Sequence, residues 1–377
     1  MTTSEIRIPL SAPEITEADI TAVTEVLRTT RLSRGPKTEE FESALAAYVG
    51  ARHAIAVSSG TAGLQLALRA LDLGEGDEVI LPSFTFIGVA NALLNERIRP
   101  VFGEIDASTR NLDPAMIEPL ITSKTRAILV VHTFGYPADL EPICAIARRH
   151  GVPIIEDACE ALGAEYQGRK VGSIGDVGVF AFYPNKLITS GEGGMVVTQN
   201  AGLASTVRAL RNQGRRPTDG WLDQSLRGYN FRIPDVNCAL ADSQLRRIDC
   251  ILKRRQDRAA QYIQALQAIP DVIAPPWQVP DGRVGWCLFM VQLSGRFTAD
   301  DRNSILRQMA ARGIECGRYF APLHCQPLCA PFVDPRTDLG ITEHVAARTL
   351  ALPFFNQLSN EQVDEVCAQL RALVLAS

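Results

Sequence analysis

The sequence predicts an α/β fold: a mostly parallel sheet covered by helices, followed by a smaller α+β domain. Two observations carry this. From Gly50 onward, short apolar runs rich in β-branched residues alternate with helical patterns, as in βαβ units. Prolines 270, 275, 276 and 280 then interrupt that alternation and set off the last part of the chain.

Length and composition bound the function. The chain has 377 residues, enough for two domains, with 46% hydrophobic and 21% charged residues, an ordinary globular balance. A net charge of -4 argues against a nucleic-acid binder. No apolar run is long enough to span a bilayer, and the N-terminal MTTSEIRIPL lacks the basic and apolar regions of a secretory signal, so the expected location is cytoplasmic. The nine cysteines are scattered, with no CxxC. The cluster His324, Cys325 and Cys329, with Cys316 upstream, offers zinc ligand types, but prolines break it and the expectation is no metal.

In chain order, Glu17–Leu27 carries Ile20, Val23, Val26 and Leu27 at helical spacing, and Lys37–Val49 carries Phe41, Leu45, Tyr48 and Val49. The strand 54–57 enters a helix from Ala62 through Ser58-Ser59-Gly60-Thr61. That junction is either a plain N-cap or an anion site, since free N–H groups and the helix dipole point one way and glycine permits close approach. Strands are expected at 78–81, 100–102, 127–131, 153–155 and from Val177. Helices are expected at 87–95, 114–121, 140–150 and 203–212. The loop Asn212–Gly228, with Arg215, Arg216 and Trp221, is long enough for a functional or interface role. A long helical stretch covers about 237–269. The final part holds a strand near 286–293, helices at 299–312 and 342–350, and a last helix capped by Ser359.

In a parallel covered sheet, ligand groups gather at the carboxyl ends of the strands. Those ends carry Ser59-Gly60-Thr61, Ser83 to Phe86, His132, the carboxylates Glu156, Asp157 and Glu160, and Lys186. Lys186 sits between the apolar run VGVFAFYPN and the glycine turn 191–194, close to a core where lysine is rare. No GxGxxG or GxxxxGK is present, so a dinucleotide or Walker A site is not supported. A lysine amine, a strand-end aspartate, an anion cradle and an aromatic face are together what pyridoxal phosphate (PLP) needs. The lysine takes the aldehyde, the aspartate holds the ring nitrogen's proton, the helix start takes the phosphate and the aromatic ring stacks. Taken singly, each has a plain alternative: Lys186 pointing to solvent, Asp157 as a cap.

The motifs GPKTEEFE (35–42), AVSSGTAGLQLAL (56–68), PSFTFIGVANA (82–92), HTFGYPADL (132–140), EDACEALGA (156–164), FAFYPNK (180–186), GEGGMVVT (191–198), GYNFRIPDVNCAL (228–240) and LPFFNQLS (352–359) run through nearly the whole chain. Through them the sequence resembles the DegT/DnrJ/EryC1/StrS family of sugar aminotransferases. The resemblance implies the aspartate aminotransferase-like PLP fold type I, with a seven-stranded sheet. The implied domains are an N-terminal arm and helix (1–36), a large PLP-binding domain (37–252) and a small domain (253–377).

The resemblance also implies roles. Lys186 matches the Schiff-base lysine and Asp157 the partner of the pyridine nitrogen. Gly60 and Thr61 match the phosphate loop, and Phe86 the stacking aromatic. Asn230 matches an asparagine reaching the phosphate of a neighbouring subunit's cofactor, which implies a homodimer with shared active sites. Arg34 and His324 match positions lining the sugar-nucleotide pocket, with a surface charge and a packed turn histidine as the plain alternatives. The implied substrates are a nucleotide-linked keto-sugar and an amino donor, glutamate by analogy. A keto-cyclitol acceptor and a PLP-binding sensor stay open. A dehydratase is disfavoured, because members with that activity replace the lysine by histidine. Two positions depart from the common pattern. Ala181 stands where many members have a phosphate-binding serine, a loss that Asn185 is placed to offset. Glu160 stands where many have glutamine beside the cofactor's ring oxygen, so Glu160 is expected to bind a proton or turn toward substrate or solvent. The low polarity around Lys186 is expected to keep enough of its amine neutral.

Overall fold

The computed structural model describes residues 6–216, 223–224, 226–335 and 337–376. Trp221, part of the loop singled out above, lies outside the described residues. The chain runs α1 (Glu17–Leu27), α2 (Pro36–Val49), β1 (His53–Val57), α3 (Gly60–Ala70), β2 (Glu78–Pro82), α4 (Ile87–Asn95), β3 (Arg99–Gly103), β4 (Thr125–Val131), α5 (Leu140–His150), β5 (Ile154–Asp157), the short hairpin β6 (Glu165–Tyr166) and β7 (Arg169–Lys170), β8 (Val177–Ala181) and β9 (Gly194–Thr198). It continues through α6 (Ala201–Arg211), α7 (Asp235–Leu245), α8 (Ile248–Leu266), β10 (Val272–Ile273), β11 (Phe289–Leu293), α9 (Ala299–Ala311), α10 (Gly340–Arg348), β12 (Thr349–Leu352) and α11 (Asn360–Ala376).

The main sheet has seven strands in the order β1-β9-β8-β5-β4-β2-β3. Pairs among β8, β5, β4, β2 and β3 are parallel, and β9 is antiparallel to both its neighbours. Strand residues alternate between two cores, as the period of two requires. Ile55, Val57, Leu81, Leu129 and Val179 face the apolar stripes of α3, α4 and α6. Ala54, Ala56 and Phe180 face α2, α7 and the start of α8, and Ile128 and Val130 face α5. The second sheet, β10-β11-β12, is antiparallel and packs on α9, α11 and the far half of α8. Helix α8 crosses between cores: Ile248, Ile251 and Leu252 lie in one, Ala259, Tyr262 and Leu266 in the other.

Three expected elements differ. The helix expected over 114–121 is two 3-10 turns, Pro114–Met116 and Glu118–Leu120, because Pro119 brings no N–H to continue a helix. The long helix over 237–269 breaks at Arg246 and Arg247. There Arg247 leaves helical geometry (φ -113°) and pairs with Glu14 and Asp19 below α1. The helix expected to reach Leu350 stops at Arg348, and Thr349–Leu352 instead adds an edge strand to β11. Among the described residues, no helix is long and apolar enough to cross a membrane.

Candidate active site

The carboxyl ends of β1, β5 and β8 converge on a cavity of about 430 Å³, lined among others by Gly60, Thr61, Phe86, Asp157, Glu160 and Lys186. Four separate chain segments supply those six residues, and the parallel order of β5 and β8 sets Asp157 opposite Val179 in register. Lys186 follows in the turn after β8, fixed by its own N–H donating to the Tyr183 carbonyl (2.9 Å).

Helix α3 starts at Gly60, two residues earlier than expected, so Gly60 and Thr61 form its first turn. Ser59 caps it by accepting the Ala62 N–H (3.1 Å). A Cβ on Gly60 would sit 2.8 Å from both the Ala181 Cβ and the Cys159 Sγ, and one on Gly194 would sit 2.6 Å from the Ser59 carbonyl oxygen. Only glycine lets the helix start press this closely on β8 and β9. Phe86 precedes α4 and is 58% exposed, so one ring face stays open toward the cavity.

Asp157 is buried and accepts the Cys159 N–H (3.0 Å). Burial raises its pKa above the ordinary carboxylate value, partly offset by its bonds to Cys159. The Lys186 Nζ lies 3.1 Å from Glu160 Oε1, and Glu160 Oε2 accepts the Phe134 N–H (3.0 Å). Glu160 therefore neither turns to solvent nor stands apart; it grips the lysine. Burial pushes the Lys186 pKa down, but its charged and polar neighbours, Glu160 foremost, together make the net shift upward. The expectation that low polarity around Lys186 keeps enough of its amine neutral considers burial alone; the contact with Glu160 acts in the opposite direction.

Glu156 and His132, also read at strand ends, point away from the cavity. Alternation along β5 sends Glu156 to the opposite side from Asp157. It is fully buried there and accepts N–H groups of Gly172 (2.6 Å), Ile174 (2.7 Å) and Gly175 (2.5 Å), and meets His132 Nε2 at 3.0 Å. His132 Nδ1 accepts the Ala138 N–H (3.0 Å), so Nε2 carries the hydrogen that faces Glu156. This pair anchors a loop.

Three expected residues stand off the cavity in this subunit. Asn230 is exposed and is not among its lining residues. Arg34 lines a separate, polar cavity of about 480 Å³ with Arg52, Arg208 and Arg211. His324 is wedged between Ser83 Oγ (2.6 Å from Nδ1) and Glu343 Oε1 (3.1 Å from Nε2). Ser83 Oγ also accepts the His324 backbone N–H (3.2 Å). His324, Cys325 and Glu343 are the one group of metal-ligand types gathered among the described residues, and both ring nitrogens of His324 already have protein partners in Ser83 and Glu343. The wall that sequence reading missed is Tyr319 and Phe320, brought in from beyond β11 with no local signal; Tyr183 and Asn185 adjoin Lys186 and were within reach.

The arrangement offers an anion cradle at α3, an open aromatic face, a buried carboxylate and a lysine nitrogen around one space. The family model described as "DegT/DnrJ/EryC1/StrS aminotransferase family" matches residues 13–371. The chain is 39% identical to GDP-perosamine synthase of Caulobacter vibrioides, covering 97% of each chain. It is 36% identical to the spore coat polysaccharide biosynthesis protein SpsC of Bacillus subtilis, again covering 97% of each. Among solved structures it is similar to Spr1654 of Streptococcus pneumoniae in its PLP form, with a TM-score of 0.93 and 27% identity over 98% of this chain and 99% of that one. The chain belongs to the DegT/DnrJ/EryC1/StrS aminotransferase family, and its fold is that of the type I aminotransferases.

Proposed function

We propose that this aminotransferase-family chain uses PLP to move an amino group, from glutamate, to a keto-sugar carried on a nucleotide. The observation that carries the reading is the convergence of Lys186, Asp157, the open face of Phe86 and the start of α3 on one cavity. The relatives named for a GDP-linked amino sugar and for spore coat polysaccharide support the sugar-nucleotide class.

The cavity fits the cofactor on its own features. The Cβ-free approach at Gly60 leaves N–H groups of α3 open to a phosphate. Asn185 Oδ1 is buried there without a hydrogen-bond partner. Phe86 keeps an aromatic face uncovered. When bound, PLP supplies an electron-withdrawing ring that stabilises negative charge at the carbon losing its proton.

In this reading the protein does the following. Gly60 and Thr61 hold the phosphate, and Asn230 of a second copy reaches it across a homodimer interface. Asp157 keeps the ring nitrogen protonated, because a carboxylate beside that nitrogen favours its charged form. Phe86 stacks on the ring. Lys186 would hold the cofactor through its aldehyde carbon and, as a free amine, would carry a proton to and from the donor carbon. Tyr319 and Phe320 close the wall and exclude water. Arg34 and His324 act toward the sugar nucleotide, His324 through the wall it steadies between Ser83 and Glu343. The nine unpaired cysteines suit a reducing cytoplasm.

Borohydride treatment of the PLP-loaded protein, followed by peptide mass spectrometry, tests the reading. It predicts the cofactor's mass on Lys186. A mass on another lysine, or on none, contradicts it.

A further inference from the structure

The Lys186–Glu160 pair belongs to no step described above. Both side chains are largely buried, at 15% and 12% exposure, and the nitrogen and carboxylate oxygen are 3.1 Å apart. The second carboxylate oxygen is held by the Phe134 N–H in the 3-10 turn Thr133–Gly135. Glu160 is thus a fixed acceptor, and the lysine is drawn to one side of the cavity.

We propose that Glu160 is a positioning residue that holds Lys186 as an ammonium in the cofactor-free chain, so that the pair must part and give up a proton before the lysine captures PLP. The inference rests on the PLP reading above and adds a latch to it. The steps balance as follows. The ammonium proton leaves the pair for solvent. The freed amine's lone pair forms the bond to the aldehyde carbon. The two remaining amine hydrogens and the aldehyde oxygen depart as one water, leaving a carbon–nitrogen double bond.

Other titratable groups face Lys186: Asp157 and Cys159 from the β5 end, Cys287 beside β11 and Tyr319 from the wall. Burial pushes both thiols and the Tyr319 phenol up, so at neutral pH they are uncharged. Asp157 is engaged by the Cys159 N–H. Glu160 is the carboxylate in contact with the nitrogen. Without it, burial, which favours the neutral amine, is opposed by no carboxylate in contact with the nitrogen. The charged form of the lysine is thus favoured most by this one contact, 3.1 Å from nitrogen to oxygen. A glutamine keeps an oxygen for Phe134 but no charge for Lys186.

The test follows amine labelling of the cofactor-free protein across pH, with per-lysine mass spectrometry, in wild type and E160Q. Lys124, exposed on a loop, serves as the reference within the same chain. The latch predicts that wild-type Lys186 labels at higher pH than Lys124, and that in E160Q its labelling midpoint falls. At a fixed pH near neutrality its reactivity rises by about tenfold or more, one pKa unit being a factor of ten in free amine. A parallel arm adds PLP and follows capture by visible absorption, whose pH midpoint falls in E160Q. Equal labelling midpoints in the two proteins overturn the latch whatever PLP does. If labelling shifts as predicted but neither protein captures PLP at any pH, the PLP reading fails, and the role in capture with it.

Discussion

Arg211 Nη1 lies 2.6 Å from Glu42 Oε1, and both side chains bind the backbone of one residue, Ala56. Glu42 accepts the Ala56 N–H (2.9 Å) and Arg211 donates to the Ala56 carbonyl (2.6 Å). Strand β1 is the edge of the main sheet, so these groups occupy the place where another strand would pair. They also hold β1 in place just before the start of α3.

Removing Glu42 strands a largely buried guanidinium. Glu42→Ala is expected to cost about 3 kcal/mol of stability, and Glu42→Gln, which can still accept from Ala56, about 1 kcal/mol. Urea unfolding with unchanged slope measures both. Equal losses for the two variants would count against the charge.

The start of α3 admits no added carbon. Gly60→Ala puts a methyl 2.8 Å from the Ala181 Cβ and the Cys159 Sγ. Overpacking of this kind costs about 1–3 kcal/mol. PLP affinity, followed by titration of the cofactor-free variant, is expected to fall along with the melting temperature. Full PLP affinity in the variant would place the phosphate elsewhere.

Ala181 is the converse case, since a hydroxyl there would face the same cradle. Ala181→Ser is expected to tighten PLP binding by about 1–2 kcal/mol, the worth of one hydrogen bond to a charged group. Equilibrium dialysis against PLP reads it, and an unchanged constant would remove Ala181 from the phosphate site.

The Glu156 pocket makes a pH prediction. Burial raises this carboxyl's pKa, but His132 and the backbone N–H groups outweigh burial and the net shift is downward. A depressed folded pKa gives stability that is present above the unfolded value of about 4.3 and lost as pH falls through the folded one. Stability of the wild type therefore declines on acidification below that point. Glu156→Gln, less stable at neutral pH, declines less steeply. Unfolding midpoints between neutral and acid pH compare the two, and parallel curves would contradict the assignment.

The secondary structure that rests on local pattern was legible in the residues. Helices Ile87–Asn95 and Leu140–His150 have the expected ends, and the main strands lie within about two residues of expectation. What was not legible depends on partners distant in sequence. Arg247 breaks the long helix because Glu14 and Asp19 wait beneath it. Tyr319 and Phe320 line the cavity from beyond β11, far along the chain from Lys186. The 3.1 Å contact between Lys186 and Glu160 was not legible either, because a strand-end reading places the two nearby but cannot orient their side chains. Pro119 was a local signal that should have ended the helix at 114–121.

The central claim is that Lys186 carries transamination in this cavity. It is tested most directly by following the visible absorption of the PLP-loaded protein while glutamate, then a nucleotide-linked keto-sugar, is added. The account predicts that glutamate bleaches the band, that the keto-sugar restores it, and that Lys186→Ala does neither. A wild-type band that no amino acid bleaches, or a Lys186→Ala protein that still completes the cycle, would contradict it.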